Sequence, residues 1–450
     1  MRKLRAGILP AVVFGLLFTG FGLCGANEVL KDPTTGRPVR YGGRFETRRT
    51  VSVPPYLQRA REMRGVWVAT VENIDFGRHT DAAGFKRDFI AVVNNLQRAK
   101  FNAIFFQVRP MCDAFYPSKH NPWSRWMTGK EGQAIPNFDP LAFMVAEAHK
   151  RGLEFHAWLN PYRVNAGAQV GKTAYLKTLD NKSFARRNPG LVLESKLANG
   201  RYSLFLNPGE PRVVEHIADT IAEILENYPV DAIHFDDYFY LYSDIGTIDS
   251  ASFQRNNPGR LSLEDWRRGN VDKAIYTVKK TVDAYNRRSG RKVAFGVSPF
   301  GIWANKKSNS NGSLTGGKQS YYAQYADTRG WVRKGWVDYI IPQLYWPFSH
   351  EVAAYAALAD WWSDAVKGTR VRLFIGQGLY RVGAERIWQP RELVDQMRYN
   401  QRLFNVDGTV IFSYRNVFMP GNGQMKEAVS RILQGCWRYP ARLPDYPNVR

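Results

Sequence analysis

The sequence predicts a closed (β/α)8 barrel, and two observations support this fold class. First, eight short apolar segments rich in β-branched residues alternate with eight segments of helical periodicity, as expected for parallel strands joined by helical crossovers. Second, connections from a helix to the next strand are short, whereas several connections from a strand to the next helix are long. The long loops then lie together at the C-terminal ends of the strands, where such barrels hold their active sites.

The predicted elements follow one another in a regular order. Strands are expected at residues 66–71, 102–108, 154–159, 232–235, 293–297, 339–344, 372–376 and 409–413. Helices are expected at residues 85–98, 141–150, 212–227, 271–287, 322–334, 352–366, 391–404 and 425–433. The first strand is not followed by a Gly-x-Gly-x-x-Gly turn, which disfavours the alternative, an open nucleotide-binding sheet.

The predicted barrel occupies residues 62–437, between two N-terminal segments and a C-terminal tail at 438–450. Residues 1–26 are predicted to form a secretory signal peptide, because basic residues precede an apolar run that ends in small residues. Residues 27–61 are rich in Pro, Gly and Arg and have no apolar periodicity, so they are predicted to form a linker or an extended arm.

The cysteines bear on the redox state and on membrane attachment. Phe21 and Leu23 fit a lipidation box around Cys24 poorly, so no lipid anchor is expected, and membrane contact would require lipidation or an uncleaved signal. Cys112 and Cys436 would remain after signal removal. Their predicted positions at opposite ends of the barrel indicate two unpaired thiols.

The composition favours an acidic partner: nucleic acid, an anionic membrane face or an acidic polymer. Lys and Arg total 63 against 40 acidic residues, a net charge of +23. The basic residues are scattered, and no helix-turn-helix, zinc-finger or RNP pattern is present, so nucleic acid is not the expected partner.

The fourth predicted strand leads into the most informative segment of the chain. It ends in Asp236 and Asp237, which are followed by Tyr238 and Tyr240. Carboxylates at the end of a barrel strand, beside aromatic rings, indicate a site that cleaves carbohydrate. The alternative is that both aspartates cap a turn or a following helix.

Glycosidic cleavage requires a proton donor and a second carboxylate. Successive strand residues face opposite ways, so Asp236 and Asp237 are not expected to supply both functions unless the strand has ended. We therefore predict that Asp237 or Asp236 acts at the reacting carbon and that Asp113, from the second long loop, is the partner acid. Two other acids near strand ends, Glu72 and Asp75, are the remaining candidates.

The other side chains at the strand ends suit sugar recognition. Aromatic rings offer flat apolar faces, and Gln, Asn and Arg bind hydroxyl and acetamido groups. About half of these aromatic residues are expected to be core instead. The predicted substrate-binding residues are Gln107, Arg109, Trp158, Asn160, Tyr162, Arg163, Tyr238, Tyr240, Gln343, Tyr345, Trp346 and Tyr380.

Two other chemistries are less well supported. His234 with Asp236 and Asp237 could bind a divalent metal, but no His-x-His or His-Glu-x-x-His motif accompanies them, so neither a metal nor another cofactor is expected. Serine hydrolysis lacks the Gly-x-Ser-x-Gly turn.

Six segments resemble the glycosyl hydrolase-like 10 family, and the resemblance extends over residues 64–437. They are 64–70 (RGVWVAT), 105–110 (FFQVRP), 156–163 (HAWLNPYR), 235–240 (FDDYFY), 296–299 (GVSP) and 342–347 (PQLYWP).

The resemblance implies a periplasmic glycoside hydrolase that acts on peptidoglycan glycan strands, chiefly those stripped of stem peptides, in cell-wall remodelling or division. Division-site and other envelope proteins are then candidate partners. Two alternatives stay open: a non-catalytic glycan-binding protein and a metal-dependent polysaccharide hydrolase.

Overall fold

Eight parallel strands close into a barrel in the computed structural model, which describes residues 27–385 and 387–449. The strands are β1 (Met63–Val68), β2 (Ala103–Arg109), β3 (Glu154–Leu159), β4 (Ala232–Phe235), β5 (Ala294–Val297), β6 (Tyr339–Ile340), β7 (Arg372–Gly378) and β8 (Val406–Phe412). Each strand pairs with the next, and β8 pairs with β1 through Gly408 opposite Met63. The predicted fold class is therefore confirmed.

One principal helix follows each strand. The helices are α1 (Ala82–Arg98), α2 (Pro140–His149), α3 (Pro211–Asn227), α4 (Leu263–Ser289), α5 (Thr328–Lys334), α6 (Tyr355–Val366), α7 (Glu392–Asn400) and α8 (Gly423–Arg431). Shorter helical segments in the loops are Val71–Asn73, Arg125–Thr128, Lys172–Thr178, Phe184–Arg187, Pro189–Leu191, Ser250–Arg255, Ser320–Ala323, Leu379–Arg381, Tyr414–Phe418 and Ile432–Cys436.

Two helices differ most from their predicted bounds, for local reasons. Helix α4 begins at Leu263 because Ser262 caps it, accepting a hydrogen bond from the backbone N–H of Asp265 at 3.2 Å. The predicted helix at 322–334 is divided, since Tyr325 has a φ of 51° and Asp327 caps α5. Neither difference affects the predicted positions of the strands.

Alternating strand residues divide the core into two parts. One set packs outward against the helices, and the other fills the barrel with large rings such as Trp67, Phe105, Tyr339 and Phe374. Residues of the C-terminal tail close the N-terminal end of the barrel: Tyr446 packs on the interior cluster and donates a hydrogen bond to Glu154 at 3.0 Å. The loop-bearing end is thus the end left open for a ligand.

A chain of hydrogen bonds runs through the barrel interior. The Trp67 indole donates to Nε2 of His234 at 3.2 Å, which leaves the proton of this neutral ring on Nδ1, facing Tyr339 at 3.3 Å. Tyr339 in turn lies 2.9 Å from Nδ1 of His156, whose Nε2 is 3.0 Å from Glu154. Burial holds the pKa of His234 well below its ordinary value, so this ring is a neutral structural group.

The arm at 27–61 packs beside α6 and α7. It contains two antiparallel strand pairs, Glu28–Val29 with Ser52–Val53 and Arg40–Tyr41 with Arg49–Thr50. Tyr41 is buried and donates to Asp360 of α6 at 2.7 Å, and Arg391 and Arg398 bind Glu28 at 2.7 and 2.8 Å.

The predicted signal peptide and Cys24 lie outside the described residues. Within the described part of the chain, no helix is both long and apolar enough to cross a membrane. Cys112 and Cys436 are buried free thiols.

Candidate active site

Two adjoining cavities open at the C-terminal ends of the strands. The first, here called the inner cavity, has a volume of about 200 Å³ and contains Asp236 and Asp237. The second, the outer cavity, has a volume of about 410 Å³ and shares Val71 and Arg163 with the first. Together they form one cleft. The inner cavity is lined by Trp67, Ala69, Val71, Ile74, Gln107, Trp158, Arg163, Asp236, Asp237, Ser298, Gln343, Tyr345 and Phe412.

Asp237 follows β4 and is buried in the lining of the inner cavity. Tyr242, from the same loop, donates a hydrogen bond to its Oδ2, and its backbone carbonyl accepts one from Gln324 at 2.8 Å. Burial, together with the negative charge of Asp236, raises the pKa of Asp237 to about 7. A carboxylic acid with this pKa is suited to donate a proton to a leaving group near neutral pH.

Asp236, its neighbour, lies among donors instead. Its Oδ1 accepts from the backbone N–H of Tyr238 at 3.0 Å, and its Oδ2 accepts from the Asn160 side chain at 2.5 Å. Nη2 of Arg163 is 4.0 Å from Oδ2, and the guanidinium is stacked 4.4 Å above the Tyr238 ring. The Asp236 carboxyl group therefore acts as a hydrogen-bond acceptor in a fixed orientation.

A relay of amide groups fixes Asp236 against the ends of three neighbouring strands. Oε1 of Gln107 accepts from the backbone N–H groups of Thr70 and Val71, both at 2.9 Å. Nε2 of Gln107 donates to Asn160 at 2.6 Å, and Asn160 donates to Asp236. The orientation of the carboxylate therefore depends on β1, β2 and β3 as well as on β4.

Asp113, the predicted partner acid, does not line either cavity. Its two oxygens accept from the backbone of Met111 at 2.9 Å and from the Ser124 hydroxyl at 2.6 Å, inside the second loop. Burial raises its pKa. The structure does not bring Asp113 together with the aspartate pair, and its hydrogen bonds serve the folding of the loop.

The remaining candidate acids, Asp75 and Glu72, lie in different places relative to the cleft. Asp75 joins the ends of β1 and β8, because it accepts from Ala69 N at 2.8 Å and from Ser413 and Arg415 at 2.7 Å. Glu72 lines the outer cavity, on a turn where it adopts a φ of 53°. Glu72 is thus the one further carboxylate on the cleft wall among the described residues.

The predicted substrate-binding residues fall into four groups. Those that line the cleft are Gln107, Trp158, Arg163, Tyr238, Gln343 and Tyr345. Tyr380 and Trp346 lie near its rim, packed edge-on against Tyr345 and Phe300. Asn160 contributes through the hydrogen bond that it donates to Asp236. The remaining three are buried outside the cleft and belong to the core and its hydrogen bonds: Arg109, Tyr162 and Tyr240.

Three aromatic residues of the cleft were missed by sequence reasoning. Trp67 and Phe412 line the inner cavity, and Tyr242 lines the outer cavity. Tyr242 continues the alternation of tyrosines that begins at Tyr238, which is a signal the sequence offers. Trp67 and Phe412 belong to strands whose apolar pattern alone does not separate cavity from core.

His234 points away from the aspartate pair, toward Trp67, Ser298 and Tyr339. No group of three or more His, Cys, Asp or Glu side chains is placed to hold a metal ion in the part of the chain that the structure describes. The residues around Asp236 and Asp237 do not form a metal-binding set.

Comparison with known proteins identifies relatives over most of the chain. The model of the glycosyl hydrolase-like 10 family matches residues 62–392. The chain is 38% identical over 408 residues to glycosyl hydrolase YngK of Bacillus subtilis, which covers 88% of this chain and 76% of that protein. It is also 38% identical over 408 residues to glycosyl hydrolase DigH of Escherichia coli K12, which covers 86% of this chain and 90% of that protein.

A solved structure supports the architecture. Alpha-L-fucosidase isoenzyme 2 from Paenibacillus thiaminolyticus superposes with a TM-score of 0.50 at 12% identity, over 84% of this chain and 49% of the other. The chain thus spans about half the length of that protein, and the likeness concerns the fold.

Proposed function

The chain belongs to the glycosyl hydrolase-like 10 family and is a glycoside hydrolase, and from this premise we propose that its substrate is the glycan strand of peptidoglycan. The preferred form is glycan that has lost its stem peptides. The enzyme acts in the periplasm, during cell-wall remodelling or division, after export directed by residues 1–26.

The observation that carries this proposal is the aspartate pair in a cleft lined by rings and amides. Asp237 has the pKa of a general acid, and Trp158, Tyr345 and Tyr238 offer faces to sugar rings. Two adjoining cavities suit a polymer rather than a single small sugar, since each can hold part of a chain.

The net charge of the protein supports an acidic glycan. Peptidoglycan freed of peptides exposes a lactyl carboxylate on each muramic acid residue. The chain carries a formal charge of +23, and Arg163 lies in the wall shared by both cavities. Long-range attraction of this kind raises the rate of association with an anionic substrate.

In this proposal Asp237 is the proton donor, a role that its pKa of about 7 supports. The acid protonates the glycosidic oxygen as the bond to C1 breaks, which lowers the barrier because a sugar alkoxide is a poor leaving group. Asp236, held by Asn160 and the Tyr238 amide, stabilises positive charge that develops on the sugar.

Digestion of defined glycans tests the proposal. Purified protein is incubated with peptide-free glycan strands and with intact sacculi, and soluble products are identified by mass spectrometry. Short oligosaccharides are expected from the peptide-free strands. A folded wild-type protein that releases nothing from either material would show that the proposed substrate is wrong.

Two control arms complete this experiment. Asp237→Asn should release far less product, whereas Glu427→Gln, a matched change on the surface of α8, should behave as wild type, because Glu427 binds only Arg431 among the described residues. Activity that survives chelation excludes the metal-dependent alternative. Cell fractionation with and without residues 1–26 tests the proposed export.

A further inference from the structure

Resting on the proposed function, we propose that the enzyme uses the substrate's own 2-acetamido group as the nucleophile. Asp236 binds the acetamido N–H, the Tyr345 hydroxyl binds its carbonyl oxygen, and that oxygen attacks C1 while Asp237 protonates the leaving group. The enzyme is therefore selective for glycans whose reacting sugar carries a 2-acetamido group, and it retains the anomeric configuration.

The first argument is the distribution of carboxylates. Two-carboxylate hydrolysis places its acids on opposite sides of the sugar, about 5–5.5 Å apart for retention and about 6.5–9.5 Å apart for inversion. In the described residues, the inner cavity has only Asp236 and Asp237, adjacent in sequence at the end of one strand. Asp113 and Asp75 face away, and Glu72 belongs to the outer cavity.

The second argument is the hydrogen-bond environment of Asp236. It accepts hydrogen bonds from the Asn160 side chain and from the Tyr238 backbone N–H, and Nη2 of Arg163 lies 4.0 Å away, so its position is fixed. An ionised carboxylate has about four lone-pair positions. The donors on Asp236 leave room for one more N–H, because the residue also lines the inner cavity. An acetamido N–H is a donor of the required kind.

The third argument is a set of donors without partners. The Trp158 indole N–H is buried and unbonded in the described structure, and Trp158 lines the inner cavity. The Tyr345 hydroxyl also has no hydrogen bond to the described residues, and this partly buried side chain lines the same cavity. Burial of an unpartnered donor such as the Trp158 N–H is costly, which indicates that a ligand acceptor completes it.

The reaction balances with these groups alone. The acetamido oxygen forms a bond to C1 as the C1–O bond to the leaving sugar breaks, and the proton of Asp237 moves to the departing oxygen. The product is a bicyclic oxazolinium, whose N–H is hydrogen-bonded to the Asp236 carboxylate. Water then attacks C1 and gives a proton to Asp237, which reopens the ring and restores the acetamido group and the acid.

The test uses glycan strands whose N-acyl group is changed. Peptide-free glycan is de-N-acetylated and then re-acylated with acetyl, fluoroacetyl, difluoroacetyl or trifluoroacetyl groups. Fluorine withdraws electrons from the attacking oxygen, so the cleavage rate should fall at each step, by about tenfold or more overall, and the free amine should not be cleaved. The product anomer, read by proton NMR at early times, should be the retained one.

Variants separate the roles of the two recognition groups. We expect a lower cleavage rate on acetylated glycan for both Asp236→Asn and Tyr345→Phe. We also expect Tyr345→Phe to change how strongly the cleavage rate depends on the fluorine content of the acyl group. Thermal unfolding confirms that each variant is folded, with Glu427→Gln as the matched control.

Two results would overturn the inference. Equal rates across the fluorinated series, or an inverted anomer, would show that a protein carboxylate or an activated water attacks C1, with Glu72 the first candidate. Failure to cleave even re-acetylated glycan is a different result. It would contradict the proposed substrate and therefore also this inference.

Discussion

At the scale of single residues, two adjacent aspartates acquire different chemistry from different neighbours. Asp236 is surrounded by donors, whereas Asp237 is buried beside the negative charge of Asp236. Like charges in a buried site cannot both be ionised without cost, so the pKa of Asp237 is raised. The pair thereby provides a proton donor and a hydrogen-bond acceptor from one strand end.

The role of Asp237 predicts a pH profile. Because its pKa is about 7, kcat/KM should be highest below that pH and fall as the pH rises through it. Asp237→Asn removes the acid and should lower kcat/KM by about 10²–10⁴-fold while abolishing this alkaline limb. Initial rates on peptide-free glycan from pH 5 to pH 9 measure both effects. A wild-type profile that is flat across pH 7 would contradict the assignment.

The same pKa has a consequence for stability. A carboxyl whose pKa is raised from 3.8 to about 7 by folding contributes stability that is fully present below the lower value and is lost as the pH rises through the upper one. Asp237→Asn should therefore raise the free energy of unfolding by about 1–4 kcal/mol at pH 8 and change it little at pH 4. Urea denaturation at the two pH values measures the difference. An equal change in the free energy of unfolding at both pH values would contradict the raised pKa of Asp237.

At the scale of elements, the strand ends act together through hydrogen bonds. Gln107 of β2 binds the chain after β1 and, through Asn160, the carboxylate after β4. Below this layer, Trp67, His234 and Tyr339 link three strands across the barrel interior. The floor of the inner cavity is therefore held by polar bonds as well as by packing.

Substitution of Gln107 tests this relay. Gln107→Met keeps the size of the side chain but leaves the amides of Thr70 and Val71 unpaired and releases Asn160. We expect a loss of about 1–3 kcal/mol in stability and a fall of about 10²-fold in kcat/KM, because small displacements of catalytic groups are costly. Glu427→Gln on α8 is the control. Full activity in a folded Gln107→Met protein would show that Asp236 is positioned without the relay.

At the scale of the whole molecule, the basic arm lies beside the loop-bearing end of the barrel. A groove of about 500 Å³ runs between the arm and the loop after β6, with Asp32 and Glu351 also in its lining. The groove is also lined by arginines that form no ion pair with an acid among the described residues. These arginines are Arg37, Arg40, Arg44 and Arg48. Unpaired positive charge at the substrate end of the molecule suits a long anionic glycan.

Removal of this charge should weaken binding of long strands and leave turnover of short ones unchanged. We expect Arg37→Ala/Arg44→Ala/Arg48→Ala to bind peptide-free sacculi about three- to tenfold more weakly at low salt, with a smaller dependence on salt than wild type. A matched triple variant on α4, Lys273→Ala/Lys280→Ala/Arg287→Ala, controls for net charge. Co-sedimentation across a salt series measures the affinity, and equal losses in both variants would refute a role for the groove.

Much of the fold and the place of the site follow from the sequence by itself. Apolar periodicity specifies parallel strands alternating with helices, and the asymmetry of loop lengths identifies the end where Asp236 and Asp237 must lie. Both properties are local, because periodicity and loop length are read along the chain without knowledge of distant contacts.

Only the tertiary structure decided which strand-end residues face the cleft. Asp113 binds its own loop, Tyr162 and Tyr240 are buried in the core, and Tyr242 reaches Asp237. Beyond the last strand residue the alternation of side chains ends, so direction is set by how long loops pack on each other. The difference between the two aspartates has the same origin, since a pKa depends on neighbours that are distant in sequence and close in space.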